Sequence, residues 1–295
     1  MATPQAGIFK EGSTHFTFLE FRLKPLSGVK TLKKAMSSIP PNEKVNEVIS
    51  FGHVLWKKLD GSMPDHFKSF STLEGRNGYK MPTTQNDIFI WIHSSSESDN
   101  FDRALQLTQA LQETSKCLVN QTAFIYHDKR DFTGFVDGSA NPKEDKRLDA
   151  ALIPEGKAGA GGSIVFSQKW VHDLKKFAKV PVKEQEGIIG RTKEDSIELE
   201  GDAMPHNSHV SRTDLKLNGE ALKIWRRSAP FIDGNDHGLF FLAFACHTLR
   251  IQLQLESMLG LTPDKVYDRI LEFSKAISGS YWFAPSEEEL QRLFQ

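Results

Sequence analysis

Residues 15–23, HFTFLEFRL, alternate apolar and polar side chains, and residues 29–38 follow with apolar side chains at helical spacing. Period-two alternation predicts a strand, and apolar residues three to four positions apart predict a helix. Residues 87–93, DIFIWIH, predict a further strand, followed by a helix over 98–112 and another strand over 117–126. The first half of the chain therefore combines strands and helices in regular alternation.

The second half repeats this succession of patterns. Residues 162–179 (GSIVFSQKWVHDLKKFAK) match the first strand and helix, and residues 238–259 (GLFFLAFACHTLRIQLQLESML) match the later strand and helix. A last helix is predicted over 263–277, before an extended aromatic segment at 281–285. Each half thus has the order strand, helix, strand, strand, helix, strand, which is that of a ferredoxin-like unit with an antiparallel sheet. We predict an α+β fold of two ferredoxin-like domains.

The segment after residue 142 is charged at first and then rich in glycine, which is typical of a connection between domains. It gives the predicted division of the chain. The parts are an N-terminal domain (1–142), a linker (143–162) and a C-terminal domain (163–295).

The composition is that of an ordinary globular protein, with 39% hydrophobic and 25% charged residues in 295 and a net charge of −1. This balance provides no strong field for nucleic acid, and the longest apolar run, residues 239–246, is too short to cross a bilayer. Neither nucleic acid nor a membrane is expected as a partner. Cys117 and Cys246 form no CxxC pair, and no secretory or twin-arginine leader is visible, so we expect a cytoplasmic protein.

The loop over 131–142, DFTGFVDGSANP, contains Asp137 directly before Gly138. Glycine and Asn-Pro in such a run indicate a tight turn. Asp137 then has two interpretations, since an acid in a tight loop can cap its own backbone or can be placed to handle a proton.

Three motifs follow one another from this loop: GFVDG at 134–138, SHVSR at 208–212 and IWRRSAPF at 224–231. In this order they resemble the dye-decolourising peroxidase family, in particular its bacterial B-type branch, whose hallmark is GxxDG. Residues 189–199 (IGRTKEDSIEL) and 277–286 (ISGSYWFAPS) are similar to further family segments. The resemblance implies a fold of the dimeric α/β-barrel type, with haem mainly in the C-terminal half.

The same resemblance implies roles on both faces of a haem b, one per chain. His209 would be the axial ligand of the haem iron, with a core or capping histidine as the structural alternative. Its second ring nitrogen would bond an acid, for which Asp268 and Glu272 are both candidates and Asp268 is slightly preferred. Asp137 would shuttle the proton of peroxide, and Arg226 would stabilise the charge that develops as the O–O bond breaks.

Other residues are expected to contact the haem. Ser228 stands where family members often carry Asn, which leaves its role open, and Phe244 is expected either on the macrocycle or in the core. The remaining candidates are Gly138 and Ser139 at the haem edge, Arg226 again as a haem contact, and Arg191, Arg212 and His206 at the propionates.

The predicted function is that of a haem-dependent peroxidase, which reduces hydrogen peroxide and oxidises dye-like, phenolic or porphyrin donors. The alternatives are deferrochelatase-like removal of iron from haem and a non-enzymatic haem carrier, which would not need both Asp137 and Arg226. The resemblance also implies a homo-oligomer, a dimer or larger. The sequence ends at Gln295, soon after the last motif, so no tail for loading into an encapsulin shell is expected.

Overall fold

The structure is a computed structural model that describes residues 2–294. Met1 and Gln295, the outer ends of the two predicted domains, lie outside the described residues. The strands are β1 (His15–Leu23), β2 (Asn46–Phe51), β3 (Leu73–Glu74), β4 (Lys80–Met81), β5 (Ile88–Ser94), β6 (Ser115–Phe124), β7 (Ser163–His172), β8 (Lys216–Leu217), β9 (Glu220–Ala221), β10 (Trp225–Arg226), β11 (Ala229–Asp233), β12 (Asp236–Ala245), β13 (Ser274–Ala276) and β14 (Ser280–Ala284).

The helices are α1 (Val29–Ser37), α2 (His53–Lys58), α3 (Glu97–Leu111), α4 (Lys146–Ala151), α5 (Leu174–Phe177), α6 (Val182–Ile189), α7 (His209–Thr213), α8 (Thr248–Met258) and α9 (Glu287–Phe294). Short 3₁₀ helices cover Ala6–Ile8, Arg76–Gly78, Gly201–Ala203 and Arg269–Glu272. Within residues 2–294, none of these helices is long and apolar enough to cross a membrane.

The two halves of the chain form sheets with the same strand order. In the first half the order is β2–β5–β1–β6, and in the second it is β10 and β11 beside β12, then β7, then β14. All of these pairings are antiparallel. The predicted α+β fold of two ferredoxin-like units is therefore confirmed.

One antiparallel contact, Phe283 in β14 with Phe51 in β2, joins the two sheets into a single ten-stranded one. At its outer edges the Gln121 side chain of β6 donates to the carbonyl of Ile232 in β11 at 3.4 Å. No backbone ladder joins these two edge strands in the described part of the chain, so the barrel that the family type suggests is not closed.

The sheet buries both of its faces. One face of each half meets the other half in the interior, where the rings of Phe18 and Phe240 stack with centroids 3.9 Å apart. The opposite face is covered by helices, among them α1, α3 and α8. Alternation along β12 sends Phe240, Leu242 and Phe244 to the interior and Phe241 to the helix-covered face. This second face carries the candidate site.

The predicted helix over 263–277 is wrong. The backbone at Lys265 is left-handed, with φ of 60°, and the Asp268 side chain accepts the backbone N–H of Ile270 to begin only a short 3₁₀ helix. Ser274–Ala276 then joins the sheet beside β7 as β13.

Several element limits also differ from the prediction. Strand β7 continues to His172, so the helix expected at 171–179 shortens to α5. The Ser96 side chain caps α3 by accepting the backbone N–H of Asp99, so this helix begins at Glu97, one residue before the predicted start. Helices α6 and α9 were not predicted, and α4 lies within the predicted linker.

Candidate active site

A large cavity lies on the helix-covered face of the second half. It holds about 1510 Å³ of space between protein atoms, its open mouth included. Sheet residues that line it are Gln168, Trp170, His172, Leu239 and Phe241, and helix residues that line it are His209, Val210, Ile251, Leu255 and Met258. A concave, mostly apolar chamber with a few converging polar groups is typical of a cofactor site.

His209 enters this cavity with its ring fixed by a buried acid. Its Nδ1 lies 2.6 Å from Oδ2 of Asp268, whose side chain is fully buried. Because a carboxylate accepts the hydrogen bond, Nδ1 carries the proton and Nε2 carries the lone pair. Glu272, the other candidate acid, instead accepts the hydroxyl of Tyr267 at 3.2 Å.

The residues around His209 place it at the start of a short helix. Ser208 caps the short helix α7, and its hydroxyl accepts the backbone N–H of Ser211 at 3.2 Å. His209 is therefore the first residue of the helix, and Thr213 donates its hydroxyl to the His209 carbonyl at 2.7 Å. The imidazole thus projects from a short, capped element.

The Asp137 loop is a tight bend, as predicted. Gly134 and Gly138 both have positive φ, 89° and 76°, a conformation that favours glycine. The Asp137 N–H donates to the Lys129 carbonyl at 2.9 Å, and Arg130 Nη1 donates to the Gly134 carbonyl at 2.8 Å. Asp137 lines the cavity from a loop that is held at both sides.

Arg226 reaches the same cavity from β10. Its Nη1 lies 4.0 Å from Oδ1 of Asp137, and both side chains are about one-fifth exposed. Asn141, from the end of the Asp137 loop, holds the backbone of Arg226: its amide donates to the Arg226 carbonyl at 2.9 Å, and its Oδ1 accepts the Arg226 N–H at 3.0 Å. The loop and the strand are therefore fixed together at the point where acid and arginine meet.

Five other residues expected at the haem lie in three different places. Arg191 and Ser139 line the cavity, and Arg191 also pairs with Glu198. Gly138 and Ser228 line a neighbouring cavity instead. His206 is exposed outside both cavities.

Two expected contacts lie elsewhere. Arg212 is buried and pairs with Asp264 at 2.7 Å, and its Nη2 donates to the hydroxyl of Thr262. Phe244 faces the interior, where its ring lies 5.8 Å from that of Trp91, because strand alternation turns it away from the cavity.

The cavity wall also carries a polar strip that was not predicted from the sequence. His172 Nδ1 lies 2.6 Å from the Ser274 hydroxyl, and its Nε2 lies 3.1 Å from Oδ1 of Asp131. Burial alone would raise the pKa of Asp131, but His172 and Thr133 outweigh it and hold that pKa below its usual range. The period-two spacing of Gln168, Trp170 and His172 along β7 was the available signal.

His93, like His172, belongs to none of the three sequence motifs, but it lies in the core and not at the cavity. His93 is fully buried, and burial lowers its pKa to about 3, so its ring is neutral at neutral pH. His172 and His93 looked alike in the sequence, and only the fold separates them.

The donor set fits a haem. Residues 2–294 contain no group of three or more His, Cys, Asp or Glu side chains that could hold a metal ion. A metal at His209 would therefore take its other ligands from a non-protein group, as iron does in haem. The apolar walls suit a macrocycle, and Arg191, Lys223 and Arg226 on the lining suit its carboxylates.

Known proteins with related sequences identify the family. The family profile described as Dyp-type peroxidase, N-terminal, matches residues 5–124, and that described as Dyp-type peroxidase, C-terminal, matches residues 128–289. A dye-decolorizing peroxidase of Rhodococcus erythropolis is 30% identical over 270 residues, which cover 90% of this chain and 79% of that protein.

Solved structures agree with this assignment. The crystal structure of a dye-decolorizing peroxidase from Bacteroides thetaiotaomicron has a TM-score of 0.90 at 29% identity, covering 100% of this chain and 99% of that one. A variant of Rhodococcus jostii DypB in complex with haem has a TM-score of 0.89 at 28% identity, covering 99% and 98%. The latter is consistent with the B-type branch. By sequence profile, relatives and fold, the chain belongs to the Dyp-type peroxidase family.

Proposed function

We propose that the protein is a haem-dependent peroxidase that holds one haem b in the cavity beside His209. The observation that carries this proposal is the meeting of His209, fixed by Asp268, with Asp137 and Arg226 in one cavity. The haem complex of the related DypB variant supports the choice of cofactor.

Haem supplies, when bound, the iron that reacts with peroxide and takes up single electrons from organic donors. The residues of the chain would hold the haem. His209 would bind the iron through Nε2, and Asp268 would keep the imidazole in one tautomer and make it a stronger electron donor. Arg191 and Arg226 would pair with the propionates, while Ser139 and the apolar lining would enclose the macrocycle.

Asp137 is the residue that transfers the proton of hydrogen peroxide. Its carboxylate takes the proton from one oxygen of hydrogen peroxide and returns it to the other, which leaves as water. Arg226 carries a permanent positive charge 4.0 Å from that carboxylate, and it stabilises negative charge on the departing oxygen. A haem carrier has no use for this pair, so its presence favours a peroxidase over a carrier.

The cellular location, the oligomeric state and the partners of the protein are also part of this proposal. The two free cysteines support a cytoplasmic location, and the family resemblance supports a homo-oligomer. Peroxide and a reducing substrate are its partners. The division into domains at 1–142 and 163–295 is likewise a proposal.

The test is the reaction of the haem-loaded protein with peroxide in stopped-flow absorption. We expect Asp137→Asn and Arg226→Ala to slow this reaction by about 10²- to 10⁴-fold, because proton transfer and charge stabilisation are lost. Asp145→Asn, an exposed acid near the same loop, is the matched control and should stay within about twofold of the wild type. Full rates in both site variants would contradict the proposed mechanism.

A further inference from the structure

A second cavity adjoins the first. It holds about 1280 Å³ by the same measure, and it lies between the segment after Glu11, the Asp137 loop and strands β10 and β11. Asp137, Ser139 and Arg226 line both cavities, so the acid–arginine pair forms part of the partition between them. A molecule in the second cavity would therefore lie beside the catalytic pair.

The charges around this second cavity are mostly positive. Six cationic residues line it against three acids, an excess of three positive charges. The cations are Lys129, Arg130, Lys143, Arg147, Arg226 and Arg227, and the acids are Glu11, Asp137 and Glu144. The whole chain has a net charge of −1, so this excess is local. A cleft with one sign of charge concentrates ions of the opposite sign.

Some of these cationic side chains already make hydrogen bonds to backbone carbonyls. Arg227 donates to the carbonyls of Ile8 and Lys10. Arg130 donates to the carbonyl of Gly134 in the Asp137 loop and to the carbonyl of Lys193. Arg147 lies 3.7 Å from the Glu11 carboxylate and 5.6 Å from the centroid of the Phe9 ring. Lys129 and Lys143 are exposed at the rim, and the salt bridges within residues 2–294 do not include them. The rim cations and Arg147 are the groups that an anion would meet.

The walls are partly aromatic. Phe16 and Trp225 are buried side chains on the lining, and Tyr126 is half-buried beside them. Aromatic walls bind flat apolar rings, and cations at the mouth bind carboxylates. The two features together suit a ligand with an aromatic ring and an acidic substituent.

We propose that the second cavity binds the reducing substrate and favours phenols that carry a carboxylate. This rests on the proposed peroxidase function. Each phenol gives up one electron and its hydroxyl proton, so that one hydrogen peroxide and two phenols yield two waters and two phenoxyl radicals. The electrons reduce the cofactor that peroxide has oxidised, and the protons complete the waters.

The carboxylates could also be those of the cofactor, since haem propionates share this chemistry. The two sources are separated by binding measurements on the protein with and without haem. If propionates fill the second cavity, a free carboxylate binds only the haem-free protein. A donor site binds the free carboxylate in the haem-loaded protein as well.

The experiment is titration calorimetry of the haem-loaded protein, without peroxide, with 4-hydroxybenzoate and with phenol. We expect 4-hydroxybenzoate to bind more tightly than phenol and to lose affinity as salt rises. Lys143→Glu should raise its Kd by about five- to tenfold, because an attractive charge becomes repulsive. Lys57→Glu, an exposed lysine that lines neither cavity, is the matched control and should leave the Kd within about twofold.

The KM for 4-hydroxybenzoate in the peroxidase assay should rise in Lys143→Glu by the same factor as the Kd. An unchanged Kd in that variant, binding confined to the haem-free protein, or a Kd that rises without the KM would each overturn the donor site. Charge-dependent binding in a wild-type protein that does not react with peroxide would instead overturn the peroxidase function.

Discussion

At the scale of single residues, the proposed site depends on one buried acid, Asp268. Asp268 is fully buried and makes its closest contact, 2.6 Å, with His209 Nδ1, while its other oxygen accepts the backbone N–H of Ile270. With His209 as the proposed haem ligand, a carboxylate in this place would push electron density toward the imidazole and so favour the oxidised iron. Glu272 lies four residues away in sequence but contacts Tyr267 instead.

Asp268→Asn should therefore raise the Fe(III)/Fe(II) reduction potential and slow the peroxide reaction by about 10- to 100-fold. Spectroelectrochemical titration of the haem-loaded protein measures the potential. Glu272→Gln removes an acid of the same segment that does not touch His209, so its potential should equal that of the wild type. An equal change in both variants would mean that the effect is not carried by the His209–Asp268 hydrogen bond.

Three of the proposed site residues belong to short motifs. His209, Asp137 and Arg226 were recognisable because their motifs follow in one order, and the structure places all three on one cavity. The sequence could not show that Arg212 pairs with Asp264, because Asp264 lies in a distant segment of the chain. The choice between Asp268 and Glu272 as the acid that bonds His209 also depended on the path of the backbone, which the sequence does not show.

At the scale of elements, period-two alternation predicted where strands lie, but it did not predict which face of a strand lines the cavity. β1 was predicted at its observed limits, whereas the face of β12 that looks into the cavity was not predictable without its neighbours. Phe241 rather than Phe244 lines the cavity for this reason. The helix expected over 263–277 failed because the left-handed backbone at Lys265 and the β7 pairing of Ser274–Ala276 override its helical pattern.

The junction between the Asp137 loop and β10 is another element-scale feature, since the Asn141 amide holds both backbone groups of Arg226. Asn141→Ala should cost about 1–3 kcal/mol of unfolding free energy, because it leaves these groups unpaired. It should also slow the peroxide reaction by about tenfold or more, because Arg226 loses its fixed position.

Urea unfolding and stopped-flow kinetics measure the two effects. The matched control is Asn120→Ala, an exposed position on β6, which should change neither. If Asn141→Ala kept both wild-type stability and wild-type rate, the junction would not position Arg226.

At the scale of the whole molecule, a buried acid lies where the two halves meet. Glu20 in β1 accepts the Asn86 amide at 2.8 Å, and it lies 3.5 Å from the Ser167 hydroxyl in β7 of the second half. Burial raises the pKa of Glu20 from 4.5 to about 7. Between these values the folded protein keeps a proton that the unfolded chain releases, so the Glu20 contribution to stability falls as pH rises from 4.5 to 7.

Glu20→Gln removes this titration. Relative to the wild type, the variant should therefore gain stability as pH rises, by a total of about 3 kcal/mol, and the difference should level off above pH 7. Urea unfolding of both proteins at several pH values measures the difference. Glu113→Gln, an exposed acid, serves as the control, and a stability difference for Glu20→Gln that is constant with pH would contradict the prediction.

The proposed function requires that His209 holds a haem in the cavity of the second half. The absorption spectrum of the haem-reconstituted protein, compared with that of His209→Ala, tests this role. We predict a Soret band in the wild type that is shifted or lost in His209→Ala and retained in His206→Ala, an exposed neighbour that lines neither cavity. A wild type that takes up no haem, or a His209→Ala protein with the wild-type band and haem affinity, would contradict this role of His209.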